Sequence, residues 1–185
     1  MRNKVNLRNN FFFILLFLVF FLFAASLLPF TAVRFSFLSF DGKIGTRLVA
    51  PDIFFGAIVA TGILYDRKFA AILGLVFGFM CDSFINPPFM LCTLLYFLTG
   101  YLAPKLSLIF TQKTPLTMLL VSAPLLLMRS FVSCFNHLAS SSRIDLASLF
   151  VGALLPEYLY NLFAAIVLFL LINVLFKLFC GSLKR

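Results

Sequence analysis

Long apolar runs, separated by short polar or basic segments, make up most of this chain. Six runs are long enough for helices that cross a bilayer, if each spans about 30 Å at about 1.5 Å per residue. They lie near residues 11–33, 50–65, 69–86, 89–104, 115–135 and 148–176. The pattern therefore predicts an all-α integral membrane protein in which residues 1–185 form one compact bundle of six transmembrane helices.

One segment between the predicted spans has a different pattern. Residues 34–50 alternate apolar and polar side chains at their start. This alternation is typical of a short strand or of a segment that rests at the membrane surface. We expect the membrane-surface segment.

The composition excludes a water-soluble domain. Hydrophobic residues make up 63% of the chain and charged residues 11%, whereas a soluble domain is about one quarter charged. A soluble fold would leave many of the 27 phenylalanines in water. The net charge of +9 could indicate nucleic-acid binding, but the basic residues lie at the termini and in short loops. We therefore expect the lipid bilayer, and no nucleic acid, as the environment of this protein.

The basic residues predict the orientation in the membrane. With the N-terminus inside, ten of them lie on the cytoplasmic side: Arg2, Lys4, Arg8, Arg67, Lys68, Lys105, Lys113, Lys177, Lys184 and Arg185. Four lie outside: Arg34, Lys43, Arg47 and Arg143. Cytoplasmic loops are enriched in Lys and Arg, so both termini are predicted to be cytoplasmic.

The sequence offers no set of residues for catalysis, metal binding or a cofactor. Three of the four cysteines fall in apolar runs, where cysteine usually behaves as a small hydrophobic residue. The one histidine, His137, lies in a predicted polar loop without an acid arranged beside it. There is no phosphate-binding P-loop motif either. These observations favour a protein that is not an enzyme and that uses no cofactor.

Four charged residues lie within the predicted spans or at their edges: Asp52, Asp82, Arg129 and Glu157. Charge at the bilayer centre costs about 2.5–3.5 kcal/mol, and such side chains usually face protein or water. The predicted topology places all four in the outer half of the membrane. We expect a polar cluster in which Arg129 pairs with Asp82 or Glu157. The alternative is that each side chain reaches the outer surface separately, and Asp52 suits it best.

Small residues form a stripe along the third predicted span. Ala70, Gly74, Gly78 and Asp82 are four residues apart, so they share one helix face. Small residues at this spacing allow close approach of another helix. Gly56 and Ala60 repeat the spacing in the second span. The stripe predicts packing inside the bundle or, as the less favoured alternative, a groove for a partner protein.

The middle of the chain also carries a series of short motifs. Pro51-Asp52 opens a predicted helix, and GLVFGFMCDSF brings Asp82 to the end of the next one. Gly100-Tyr101-Leu102 follows, and LPEYLYNLF later supplies Pro156, Glu157 and Asn161. In order and spacing, this series resembles the rod shape-determining membrane protein MreD family, most clearly over residues 48–105. The Asn86-Pro87-Pro88 turn departs from the family, which has a glycine-containing segment there.

This resemblance implies a non-enzymatic component of the bacterial cell-elongation complex in the inner membrane. Members of the family associate with the bitopic protein MreC. Through it they link MreB filaments to the peptidoglycan polymerase RodA and its penicillin-binding transpeptidase. The lack of a catalytic set and the short loops agree with such a role.

A second class of protein has similar size and charge. The substrate-binding membrane subunits of energy-coupling-factor vitamin transporters are also small, basic, six-span proteins, and they bind a small molecule from the outer side. An alanine-spaced AxxxA stripe would be expected in their first span, and FFFILLFLVFFLFAAS contains none. We therefore prefer the cell-shape function and keep the transporter subunit as the alternative.

Overall fold

The computed structural model describes residues 33–38, 44–49, 52–85, 91–110, 112–140, 150 and 154–181. Within them, two strands precede five helices: β1 (Val33–Leu38), β2 (Ile44–Val49), α1 (Ile53–Leu64), α2 (Arg67–Ile85), α3 (Cys92–Ser107), α4 (Pro115–Ser140) and α5 (Leu155–Gly181). The predicted first span, except Val33, lies outside the described residues, as do Pro51 and the Asn86-Pro87-Pro88 turn.

Helices occupy the positions of the five later predicted spans, with the largest differences at α4 and α5. Helix α4 continues to Ser140, so the prediction of a polar loop around His137 was wrong. Helix α5 begins at Leu155, and Pro156 is its second residue. Residues 148, 149 and 151–153 of the predicted last span lie outside the described residues. Proline suits the first turn of a helix, because its missing N–H has no intrahelical partner there. Glu157 consequently lies in the first turn of α5.

Helices α4 and α5 are the long apolar elements of the described chain. The stretches Pro115–Phe135 and Leu155–Val174 have the length and composition needed to cross a membrane. Helix α1 has 12 residues, which corresponds to about 18 Å, and a hydrocarbon core is about 30 Å thick. The described helices are thus of unequal length, and α1 is the shortest of them.

Helix α1 lies at the centre of the bundle and contacts each of the other four helices. All residues from Phe55 to Ile63 are buried, so it is covered on every side. A helix that is apolar all round needs such an environment. The core around it contains large side chains from the other helices, among them Leu73, Tyr96, Met118, Leu126 and Phe169.

Helices α2 and α3 pack against each other at glycine positions. A methyl group added to Gly78 would overlap Cα of Thr93, and one added to Gly74 would overlap the carbonyl of Tyr96. A methyl group added to Gly100 of α3 would likewise overlap the backbone carbonyl of Ala70 in α2. The small-residue stripe of α2 therefore faces α3 of the same chain. Of the two alternatives for the stripe, this agrees with packing inside the bundle and not with a groove for a partner protein.

The segment before α1 is a hairpin rather than a helix. Strands β1 and β2 are antiparallel, and their register runs from Val33 opposite Val49 to Leu38 opposite Ile44. The all-α prediction is therefore incomplete, and the expectation that this segment rests at the membrane surface stays a prediction. The alternation of apolar and polar residues was the correct signal, because successive side chains of a strand point to opposite faces. Strand β2 also contacts α5.

Candidate functional site

The candidate site is built on Asp52, which precedes α1 as its N-cap. One carboxylate oxygen, Oδ1, accepts a hydrogen bond from the Phe55 backbone N–H at 2.9 Å. The other, Oδ2, accepts one from the Tyr96 hydroxyl of α3. The backbone N–H of Asp52 donates to Oδ1 of Asn161 on α5 at 2.6 Å. Asp52 thus caps the start of α1, where the first N–H groups of the helix lack intrahelical acceptors.

Arg129 of α4 completes this site by pairing with two carboxylates. Its Nε lies 2.6 Å from Oδ2 of Asp52, and its Nη1 lies 2.6 Å from Oε1 of Glu157 on α5. One guanidinium thus connects three helices, and Tyr96 adds a fourth. We call Asp52, Tyr96, Arg129, Glu157 and Asn161 the central cluster.

The central cluster is largely removed from solvent. The side chain of Asp52 is 3% exposed, and those of Arg129 and Glu157 are 20% and 18% exposed. Two carboxylates face one guanidinium, so the three side chains carry one net negative charge when all are ionised. Within the described residues, Nδ2 of Asn161 is buried without a hydrogen-bond partner. The cluster can fix the relative positions of four helices, because each charge depends on its partners.

Asp82 does not belong to this cluster, although it was expected there as a possible partner of Arg129. Its Oδ1 accepts from the Cys92 N–H at 3.1 Å, and its Oδ2 accepts from the Thr93 N–H at 2.8 Å and the Thr93 hydroxyl at 2.6 Å. Asp82 lies at the end of α2 and meets the free N–H groups at the start of α3. A carboxylate is favoured there by hydrogen bonding and by the helix dipole.

Asp82→Asn is expected to lower stability by about 0.5–2 kcal/mol, the usual range for a lost helix cap. An asparagine keeps one acceptor oxygen but turns an NH₂ group toward one of the donors. Thermal unfolding of the purified full chain in detergent measures the effect. Ser83→Ala is the matched control, because the Ser83 hydroxyl bonds only within α2, to the Phe79 carbonyl. Equal unfolding temperatures for the two variants would contradict the capping role.

Gly56 of the small-residue pattern and the family-motif residues Gly100 and Tyr101 have packing roles in the described structure. A methyl group at Gly56 would lie 2.7 Å from Cδ1 of Leu168, so α1 approaches α5 closely there. Gly100 admits the backbone of α2, as described above. The Tyr101 ring contacts the guanidinium of Arg67, at 3.6 Å from the ring centroid.

Tyr96 is the member of the central cluster that the sequence analysis missed. It lies within an apolar run, and it shares a face of α3 with Cys92 and Gly100 at four-residue spacing. A buried tyrosine hydroxyl usually finds a hydrogen-bond partner. A tyrosine on the same face as a packing glycine was therefore the available signal.

A partly open apolar cavity of about 270 Å³ also lies beside α4 and the start of α5. It is lined by Leu127, Ser130, Phe131, Cys134, Phe150, Leu154, Leu155 and Tyr158. The Tyr158 hydroxyl donates to the Ala123 carbonyl at 3.3 Å and is thus already engaged. Small-molecule sites combine an apolar lining with a few convergent polar groups. Ser130 is the one other polar lining residue, so this cavity does not favour the transporter alternative.

No arrangement for metal-dependent chemistry occurs in the part of the chain that the structure describes. Within it, no group of three or more His, Cys, Asp or Glu side chains could hold a metal ion. The acids of the central cluster are instead satisfied by Arg129, Tyr96 and backbone N–H groups. The arrangement is suited to holding helices together.

Comparison with known protein families identifies a match over most of the chain. Residues 6–179 match the family described as rod shape-determining protein MreD. No curated protein and no solved structure matches the chain. The family match extends well beyond residues 48–105, where the motifs were recognised, and it includes the residues of the central cluster. Because it covers nearly the whole chain, this protein belongs to the MreD family of rod shape-determining proteins.

Proposed function

We propose that this protein is a non-enzymatic inner-membrane component of the bacterial cell-elongation complex. In this role it binds an MreC-like bitopic protein and, through it, acts with MreB, RodA and a penicillin-binding transpeptidase. The match to a rod shape-determining family over residues 6–179 carries the proposal. A role in shape determination and a place in the inner membrane follow from the family, and the named partners are the step beyond it.

The geometry supports a scaffold function. The central cluster joins α1, α3, α4 and α5 through charged and polar side chains, and the glycines of α2 and α3 join the remaining described helix. A bundle held in this way presents a fixed outer surface, and fixed surfaces lose less entropy when a partner binds. We propose that the cluster positions the helices for the partner and takes no part in a reaction.

The proposed topology has six transmembrane helices with both termini in the cytoplasm. The contacts between helix ends support a bundle in which successive helices run in opposite directions. The start of α1, the end of α2 and the starts of α3 and α5 all lie near one another. The basic residues of the connections at the opposite end, Arg67, Lys68 and Lys113, favour the cytoplasmic side for that end.

Loss of the protein is expected to convert rod-shaped cells into round cells, and the full chain supplied from a plasmid should restore the rods. The measurement is the ratio of cell length to width after depletion, with and without the plasmid copy. Pull-down of the full chain from detergent-solubilised membranes should recover the bitopic partner. Unchanged shape after complete depletion, together with loss of uptake of a vitamin, would replace this proposal with the transporter subunit.

A further inference from the structure

Two basic side chains lie against one tyrosine ring at the end of the bundle opposite the central cluster. The guanidinium carbon of Arg67, at the start of α2, is 3.6 Å from the ring centroid of Tyr101. Nζ of Lys105, in the last turn of α3, is 4.6 Å from the same centroid. The ring itself stacks on Phe97, with centroids 6.4 Å apart. Tyr101 therefore holds two like charges near each other in defined positions.

Neither of these two cations is neutralised within the described part of the chain. Both ion pairs found there involve Arg129. Asp66 directly precedes Arg67 but forms no ion pair with it, and Lys105 is exposed. The α2 terminus adds to the positive potential, because the N–H groups of Arg67, Lys68 and Phe69 precede the first intrahelical hydrogen bond, which Ala70 makes to Asp66. The place is thus suited to an anion.

We propose that Arg67 and Lys105, positioned by Tyr101, bind the phosphodiester of an anionic phospholipid in the cytoplasmic leaflet. The orientation proposed above places this end of the bundle at the inner surface, where anionic headgroups lie. Tyrosine is enriched at that depth, because its ring is amphipathic. Helix N-termini bind phosphate through free N–H groups and the helix dipole. The shared chemistry is a phosphate monoanion, and the membrane supplies it as a lipid headgroup.

The test measures binding of phosphatidylglycerol to the purified full chain in detergent by native mass spectrometry. Phosphatidylcholine with the same acyl chains, which carries no net charge, is the comparison lipid. We expect preferential binding of phosphatidylglycerol. Arg67→Gln and Lys105→Gln should each weaken it about fivefold, the effect of one basic residue near an anionic headgroup. Tyr101→Leu should weaken it as well although no charge changes, and Tyr101→Phe should retain it.

Lys113→Gln is the matched control, since it removes the same charge from another exposed lysine on the same predicted side. Binding by this variant should equal that of the unchanged chain. If Lys113→Gln and Lys105→Gln weakened phosphatidylglycerol binding equally, the proposal would be overturned, because the lipid would then respond to the overall positive charge and not to a defined site. Competition by free glycerol phosphate at the lipid concentration would show a site for soluble phosphate. Full phosphatidylglycerol binding by Arg67→Gln would also overturn the lipid site. All these outcomes are independent of the cell-shape assay.

Discussion

Gly78→Leu is expected to prevent α2 from packing against α3 and to destabilise the protein by about 3 kcal/mol or more. Even a methyl group at Gly78 would overlap Cα of Thr93 and lie 2.7 Å from the Cys92 carbonyl oxygen. Both atoms belong to the backbone, so no side chain can rotate away. Overpacking of a well-packed core typically costs about 1–3 kcal/mol, and a collision with backbone lies at the upper end or beyond it.

The effect on the bundle should reach past the two helices themselves. Asp82 lies one turn after Gly78 and caps α3 through Cys92 and Thr93. When α2 moves away from α3, these hydrogen bonds are lost together with the glycine contact. We therefore expect Gly78→Leu to reduce both the amount of folded protein in the membrane and the recovery of partner proteins in a pull-down.

Val76→Leu is the matched control for this prediction. Val76 lies on the same helix, but 44% of its surface is exposed, so a larger apolar side chain has room there. The measurement is the fraction of protein that remains monodisperse in detergent after heating, for both variants and the unchanged chain. Gly78→Leu and Val76→Leu with the same thermal profile would show that the close approach of α2 and α3 does not stabilise the bundle.

The stripe illustrates what sequence spacing can reveal. Four-residue spacing of Ala70, Gly74 and Gly78 was enough to predict a close-packed face, because i and i+4 residues share a helix face. The spacing contains no information about the partner. The neighbour, α3, became apparent only from the structure, where Gly100 receives the backbone of α2 at Ala70.

The central cluster was partly predictable for a related reason. Charged residues in apolar spans usually pair with one another, so Arg129 and Glu157 could be identified as candidates from the sequence alone. The choice between Asp82 and Glu157 as the partner of Arg129 could not be made from their similar predicted depths, and Asp52 was the acid that best suited the alternative of reaching the outer surface separately. That alternative is wrong for Asp52, because its side chain is 3% exposed and pairs with Arg129. The structure assigns Asp52 to Arg129 and Asp82 to the cap of α3. The two aspartates have different roles because different side chains and backbone groups surround them, and their depth in the membrane does not determine this lateral arrangement of the helices.

Secondary structure at the bundle ends was the least predictable part. Hydropathy set the positions of the later helices, but it placed the end of the fifth span at residue 135, whereas α4 continues to Ser140. The hairpin at Val33–Leu38 and Ile44–Val49 depends on pairing between two segments, which a single window of sequence does not report.

Arg129→Gln is expected to be the most damaging single substitution in the central cluster, with a cost of about 3–5 kcal/mol. It removes the cation from Asp52, whose side chain is 3% exposed, and from Glu157. Two carboxylates then remain without a charged partner. Removing one member of a buried ion pair is more harmful than replacing the whole pair, because the remaining charge has no compensation. Thermal unfolding of the full chain, compared with Lys113→Gln as the control for loss of one positive charge, measures the effect.

The triple variant Asp52→Asn, Arg129→Gln and Glu157→Gln separates stability from function. It leaves no unpaired charge, and asparagine is still a good N-cap for α1. We expect it to recover most of the stability that Arg129→Gln loses, and to restore rod-shaped cells after depletion of the native protein, because the proposed role of the cluster is to position helices. A triple variant as unstable as Arg129→Gln would contradict the charge argument. A stable triple variant in round cells would show that the charges themselves take part in shape determination, and the scaffold role proposed for the cluster would then be wrong.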